Sequence, residues 1–549
     1  MLDIEDLQIN FDTRRGQVKA VQGISLRVER GEILGLVGES GAGKSTVGSA
    51  VMGLLDIGGR VTSGRILFEG ENLLVKSSEA MRKMRGRRIG MIFQDPMTAL
   101  NPVLSIADQM IGTIRLAFGL NRSEALEQAV KWLDRMSLPD PATRIHHYPH
   151  EFSGGQRQRI VIALALCGKP DLVIADEPTT ALDVSVQAQI LDLIRSLVRE
   201  NNIGVILITH NMGVVSEVTD NIAIMRHGKL VETGPTRNVL MAPETAYAKM
   251  LIGSVPPSDK RLNRLPVPDN QGNLVHSTVE DPRPFDGRDM ILQCDRLSVT
   301  YYAGGKLFTK GTPIRAVKDT SFGIPKGHSL GLVGESGSGK STCARAIVGL
   351  NPLSGGSVRY REHILSNMSE RKRRPLRSAI QMIFQDPYSS INKRMKIFDI
   401  IAEPIRFYGF ADSKSAVLNR VTTLIERVGL SYDALQRYPH QFSGGQRQRI
   451  AIARTLACQP KMIVCDEPTS ALDVSVQAQI LNLIKDLQDE FGLTLLFISH
   501  DLPVVRQMCD EIAVLKDGQI VEMAPAGEIF ESPRHEYTKH LINLMPRIY

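Results

Sequence analysis

The chain is poor in aromatics, which make up 5% of its 549 residues, and it holds a single tryptophan, Trp132. Its six cysteines form no C-x-x-C pair and no metal-ligand spacing. A disulfide framework and a zinc module are therefore excluded, and idle thiols in a reducing compartment are expected. Long apolar runs are missing too: "VIALALC" and "GVILIT" fall well short of the roughly 18 residues that cross a bilayer. The opening "MLDIEDLQINF" is acidic and lacks a charged-then-apolar leader pattern. A large excess of one sign of charge is also lacking. A net +7 from 66 basic and 59 acidic residues suits an anionic ligand or lipid surface without demanding nucleic acid. The 42% apolar and 23% charged fractions are those of ordinary globular domains.

What the chain does have, it has twice. "FSGGQRQRI" runs from Phe152 to Ile160 and again from Phe442 to Ile450, displaced by 290 residues. "GLVGESGAGKST" at Gly35 returns as "GLVGESGSGKST" at Gly331, and "MIFQDP" at Met91 returns at Met382. "DEPTTALDVSVQAQIL" at Asp176 returns as "DEPTSALDVSVQAQIL" at Asp466. So long a period is a whole domain, and the chain is a duplication rather than a solenoid. The copies occupy 1–253 and 291–549. Residues 254–290 between them carry six prolines and little apolar periodicity, the composition of an extended, semi-rigid surface tether.

Each copy reads as α/β. "EILGLVG", "DLVIADEP" and "IGVILITH" are short apolar runs ending in polar residues, the pattern of parallel strands with functional groups at their carboxyl ends. "KSTVGSAVMGLL" reads as a helix and "NIAIMRHGKLVETG" as a hairpin turning at His227–Gly228. Helical inserts are expected from about Met97 to Glu151 and from Tyr388 to Gln441.

"GESGAGKS" fits G-x-x-x-x-G-K-S/T, a loop whose backbone N–H groups and following helix N-terminus converge on phosphate. This assigns ATP contacts to Gly38, Glu39, Ser40, Gly41, Ala42, Gly43, Lys44, Ser45 and Thr46. In the second copy they fall to Gly334, Glu335, Ser336, Gly337, Ser338, Gly339, Lys340, Ser341 and Thr342. Lys44 and Lys340 supply a point charge for the β and γ phosphates, and Ser45 and Ser341 offer a hydroxyl to Mg2+. Asp176 and Asp466, ending apolar strands, suit the Mg2+ hydration shell, and the adjacent Glu177 and Glu467 suit activation of an attacking water.

These residues, with SGGQ, resemble the nucleotide-binding domains of ATP-binding cassette (ABC) ATPases over nearly all of the chain outside the tether. The resemblance implies two tandem phosphate-loop, RecA-like α/β domains, each with an antiparallel β subdomain and a helical signature subdomain. It makes Gln94 and Gln385 the Q-loop residues, also near the metal, His210 and His500 the switch histidines, and Asp183 and Asp473 the D-loop interface residues. It implies that the halves pack head to tail around two ATP molecules. Ser153, Gly154, Gly155 and Gln156 would then complete the site at Lys340, and Ser443, Gly444, Gly445 and Gln446 the site at Lys44. Phe11 and Tyr301, with Tyr302 a rival, stand where the family stacks an aromatic on adenine. Both sites carry a full set of residues, so both are expected to hydrolyse ATP.

"FQDPMTALNPVLSI", "FQDPYSSINKRMKI", "YPHEFSGGQRQRI" and both tails, "GPTRNVLMAPETAYAKMLIGSVP" and "PAGEIFESPRHEYTKHLINLMP", are similar to importers of oligopeptides, dipeptides and nickel. That resemblance implies a peripheral motor on the cytoplasmic face of a bacterial inner membrane. Its partners would be two integral permease subunits and an extracytoplasmic binding protein, with no nucleic acid. A soluble twin-cassette ATPase acting on ribosomes or nucleoprotein is the rival; its long charged helical linker is unlike this proline-rich tether. Neither tail has the cysteine cluster that binds iron–sulfur in some dipeptide-import ATPases, and no such cluster is expected. The histidines of "HHYPH" and the basic runs "MRKMRGRR" and "RKRRPLR" read as a signature approach and a solvated rim.

Overall fold

The computed structural model describes residues 1–13, 16–179, 184–267, 277–283, 289–303, 311–470 and 472–545. They form two units, Met1–Ile252 and Gly253–Met545, that repeat one architecture.

In the first unit a six-stranded sheet runs in the order Lys229–Pro235, Asn221–Arg226, Ile33–Val37, Gly204–Ile208, Leu172–Asp176 and Ile89–Ile92. Every pairing is parallel except that of Lys229–Pro235, which closes the hairpin at one edge. Ile33–Val37, Leu172–Asp176 and Gly204–Ile208 are buried at every position, which is why they read as unbroken apolar runs rather than alternating ones. Leu2–Thr13, by contrast, alternates, and pairs antiparallel with Gly16–Val28 and Gly59–Phe68 in a separate four-stranded sheet. Its inner face (Leu2, Ile4, Leu7, Ile9) and Phe68 meet Val47 and Val51 of the helix Lys44–Met52 and Ile174 and Ile206 of the large sheet. Each such side chain contributes about 1.5–3 kcal/mol when fully buried. This core holds the helix that follows the phosphate loop against the carboxyl ends of the strands.

The helical insert is present as Ile106–Phe118 and Arg122–Arg135 with the short helices Pro96–Ala99 and Pro141–Arg144, packed on Gly154–Leu166 through Ile111, Ile114, Trp132 and Leu133. Asn121 and Glu124 close a capping box at the head of Arg122–Arg135. The second unit has the same sheets, from Ile380–Ile383 through Met462–Asp466, Thr494–Ile498, Ser329–Val333, Glu511–Lys516 to Gln519–Pro525, and the same insert, with Ile397–Phe407 and Lys414–Arg427. All six cysteines are buried and reduced.

The tether differs from expectation. Its described residues do not lie loosely on the surface: Arg261, Leu262 and Leu265 are buried in the second unit. Arg261 Nη1 donates to the Cys509 carbonyl at 2.7 Å and to Asp510 Oδ1 at 3.1 Å. Asn482 exchanges two hydrogen bonds with the backbone of Leu265, Gln507 accepts from Leu262 N–H, and Lys485 reaches Glu280 at 2.8 Å. Arg264 binds Asp486 and Asp489, and Arg283 binds Asp489 as well. Composition predicted an unpacked chain because prolines and charges dominate it. Charges of its described residues meet complementary ones on the helix Val474–Phe491, so those residues form a strap rather than a spacer.

Candidate active site

The phosphate loop turns from the strand Ile33–Val37 into the helix Lys44–Met52. Gly43 precedes the helix at φ 99°, and a Cβ there would lie 2.5 Å from the Ala20 carbonyl; Gly339 repeats this at φ 107° and 2.4 Å from Ala316. Lys44, buried, donates from Nζ to the carbonyls of Gly38 (2.7 Å) and Glu39 (2.9 Å), and Lys340 does so to Gly334 and Glu335 at 2.7 and 2.8 Å. The ammonium is thus held inside the curl of the loop, where an anion would face it. Ser45 Oγ donates to Asp176 Oδ1 at 3.1 Å, and Ser341 to Asp466 at 2.8 Å.

One residue further, Glu177 and Glu467 adopt the left-handed backbone, φ 46° and 47°, with their N–H groups bonded to Ile208 and Ile498. Non-glycine residues seldom accept that conformation, and the turn recurs in both units. The turn swings each carboxylate between two polar partners. Gln94 Nε2 donates to Glu177 Oε2 at 2.8 Å and His210 Nδ1 lies 3.0 Å from Oε1; Gln385 and His500 hold Glu467 at 2.9 and 3.1 Å. Four sequence-predicted residues per unit, with the phosphate-loop lysine and serine, therefore converge at the carboxyl ends of adjacent strands.

Burial pushes Asp176 and Asp466 above the usual carboxylate range, and the serine hydroxyls only partly offset it. A hydroxyl oxygen and a carboxylate oxygen side by side, the latter short of positive charge, are the hard donor set that a divalent cation such as Mg2+ takes. Burial also works against Glu467 ionising, yet the hydrogen bond and charge of His500 hold its carboxyl below the ordinary value. Reciprocally, Glu467 raises His500 above the usual imidazole value against the pull of burial. In the second unit each of the two groups thus favours the charged form of the other.

Ser153 and Ser443 cap the helices Gly154–Leu166 and Gly444–Ala457, each in a reciprocal box with Gln156 or Gln446. Ser153, Gly154, Ser443 and Gly444 are exposed, so each signature presents an open helix N-terminus. Gly445 is instead buried, and a Cβ there would lie 2.3 Å from Val476. Tyr301 is exposed with its hydroxyl 3.5 Å from Thr342 Oγ1, beside the second phosphate loop; Phe11 is half-buried and packs into the first unit's core. Tyr302 sits one strand position away, on the other face. Asp473 stands at the N-cap of Val474–Phe491, and Asp183 lies outside the described residues. Sequence reasoning missed Tyr247 and Tyr537, whose hydroxyls accept from the backbone N–H of Glu39 and Glu335; the repeated tyrosine in the two tails was the available signal.

The ABC transporter family model matches residues 21–180 and 317–470, and the model for the oligopeptide/dipeptide transporter C-terminal region matches 231–283 and 521–549. The chain is 44% identical to the glutathione import ATP-binding protein GsiA of Salmonella paratyphi A, over 100% of this chain and 89% of that protein. It is 43% identical to its namesake in Escherichia coli O157:H7 over the same shares. A solved dimeric bacterial ABC transporter cassette aligns at 25% identity with a TM-score of 0.40, covering 43% of this chain and 99% of that one.

Proposed function

The chain belongs to the ABC transporter ATP-binding family, and from that premise we propose that it is the ATP-hydrolysing motor of a binding-protein-dependent importer of peptides, glutathione-sized peptides included. The observation that carries this reading is the tail: both halves match the oligopeptide/dipeptide transporter C-terminal region, and the full-length relatives import glutathione. No helix among the described residues is long and apolar enough to cross a membrane, so transport needs other chains. The proposed partners are two permease subunits and an extracytoplasmic binding protein, with this chain peripheral on the cytoplasmic face of the inner membrane. A cleft of about 360 Å3 beside Gln385, walled by Phe384, Pro404, Phe407 and Tyr408 with Glu403 at its rim, suits a cytoplasmic helix of one permease. The ribosome-acting alternative finds no such support.

In the proposed chemistry the loop N–H groups and Lys44 or Lys340 bind the β and γ phosphates. Ser45, Asp176 and Gln94, with Ser341, Asp466 and Gln385 opposite, would hold Mg2+, which neutralises charge on the phosphates. Glu177 and Glu467 orient the attacking water and accept its proton as the bond to the ADP oxygen breaks, releasing ADP and phosphate. His210 and His500 steady those carboxylates and the γ-phosphate. By the family resemblance, the signature of one cassette would complete the site of the other, Ser443 for Lys44 and Ser153 for Lys340, its helix N-terminus adding positive potential at the γ-phosphate. In the proposed cycle ATP closes the cassettes and its hydrolysis releases them.

The test is to trap the closed state with Glu177→Gln plus Glu467→Gln and recover the tagged chain from gently solubilised cells in ATP. Two multi-span membrane proteins in the eluate are expected; ribosomal proteins in their place would overturn the transport reading.

A further inference from the structure

The head of the phosphate loop is one peptide unit, Gly38–Glu39, and it is gripped from both ends. Its carbonyl, on Gly38, accepts from Lys44 Nζ at 2.7 Å, and its N–H, on Glu39, donates to the Tyr247 hydroxyl at 3.3 Å. In a planar trans peptide these groups point in opposite directions, so the two bonds together fix how the plane is turned. The second unit repeats the grip: Gly334 accepts from Lys340 at 2.7 Å and Glu335 N–H donates to Tyr537 at 3.1 Å. A grip is needed at this point. Gly38 and Gly334 sit at φ 149° and 148°, backbone that only glycine adopts readily, and glycine offers little resistance to rotation of the adjoining plane.

The tyrosines are themselves built in. Tyr247 and Tyr537 are buried, at 5% and 8% exposure, each under a cation from the neighbouring hairpin: Arg226 lies 4.6 Å from one ring and Lys516 4.9 Å from the other. Hairpin carboxylates anchor the approach to each tyrosine. Glu232 accepts from the N–H groups of Glu244 and Thr245, and Glu522 from those of Arg534 and His535. Two copies separated by 290 positions thus keep the hydroxyl, the ring cation and the anchor. Packing alone would be satisfied by phenylalanine.

We propose that Tyr247 and Tyr537 are positioning residues of the two ATP sites: each clamps the Gly–Glu peptide that aims the phosphate-loop lysine, so the tail of each cassette sets nucleotide affinity. The inference rests on Lys44 and Lys340 as phosphate ligands. That lysine meets the phosphates in the ground state and the transition state alike, so loosening it weakens binding without slowing chemistry.

The experiment is Tyr247→Phe with Tyr537→Phe in the full chain, reading ATPase rate against MgATP concentration with the nucleotide-free melting midpoint alongside. KM is expected to rise about three- to tenfold, the worth of one hydrogen bond, with kcat within about twofold of the parent. Should the double variant fold poorly, each single variant carries the test, with one of two sites weakened and a biphasic rate curve. A KM equal to the parent's, whatever the melting midpoint or kcat does, overturns the proposal while leaving the ATPase reading intact. No MgATP turnover in the parent chain overturns both.

Discussion

Replacing Arg261 by alanine tests whether the strap belongs energetically to the second cassette. Asp510 is 1% exposed and accepts from Arg261 Nη1, from Arg283 N–H and, on its other oxygen, from both the N–H and the hydroxyl of Ser329. Arg261 also donates to the Cys509 carbonyl. The substitution therefore leaves a buried carboxylate without its cation and a carbonyl without its donor. Breaking one side of a buried pair costs about 3–5 kcal/mol, and the three neutral donors that remain on Asp510 put the loss near the lower end, about 3 kcal/mol. For a unit of this size each kcal/mol moves the melting midpoint by roughly 2 °C, so calorimetry of the nucleotide-free chain should show a transition about 6 °C lower. The transition of the first cassette should stay in place. Adding Asp510→Asn should recover part of the loss, because the orphaned charge goes with it. An Arg261→Ala midpoint within about 1 °C of the parent would refute the reasoning, as would an equal shift of both transitions.

Glu177→Gln and Glu467→Gln, made singly, should each lower steady-state ATP turnover; one variant at parental rate would sink the idea of two hydrolysing sites. Lys44→Ala with Lys340→Ala should abolish tight MgATP binding in equilibrium titration, since both phosphate charge partners go, and unchanged affinity would refute those roles. The strap should loosen in acid. Burial opposes ionisation of Asp489, but Arg264 and Arg283 together hold it below the ordinary carboxylate range. Its contribution is therefore complete above the unfolded value, about 3.9, and is lost as pH falls through the lower folded value. Asp489→Asn should flatten this limb of the melting-midpoint profile below about pH 4; an unaltered limb counts against it.

The parts of the site that were legible in the sequence are those in which one function is written in contiguous residues. The phosphate loop, the Asp176–Glu177 pair and the signature each combine residue type with short-range spacing, and their strand–loop–helix setting follows from local apolar pattern. Gln94 and His210 were placed through resemblance, since nothing in their own neighbourhood says that both bond the same carboxylate. The left-handed turn at Glu177, which makes those bonds geometrically possible, has no sequence signal at all, because glutamate is an unexpected residue for it.

By itself, then, the sequence determined the duplication, the α/β cassettes and the identity of the groups proposed to meet ATP. Contacts between residues far apart in the chain were left to tertiary structure. Tyr247 lies 208 residues from the Glu39 N–H it accepts from, and only the packing of the tail against the hairpin brings the two together. The strap makes the same point through charge. Asp486 and Asp489, which receive Arg264, align with Ser196 and Arg199 in the first copy, and Asn482, which pairs with the Leu265 backbone, aligns with Asp192. The helices Val184–Asn201 and Val474–Phe491 share most of their apolar positions, and Ile190, Leu191, Ile194 and Leu197 are buried as are Ile480, Leu481, Ile484 and Leu487. Their outer faces carry different charges, and Arg264 on the first would face Arg199 in place of Asp489. Patterning specifies which face of a helix is buried. Which strap its other face accepts is decided by where individual charges stand once the fold has formed.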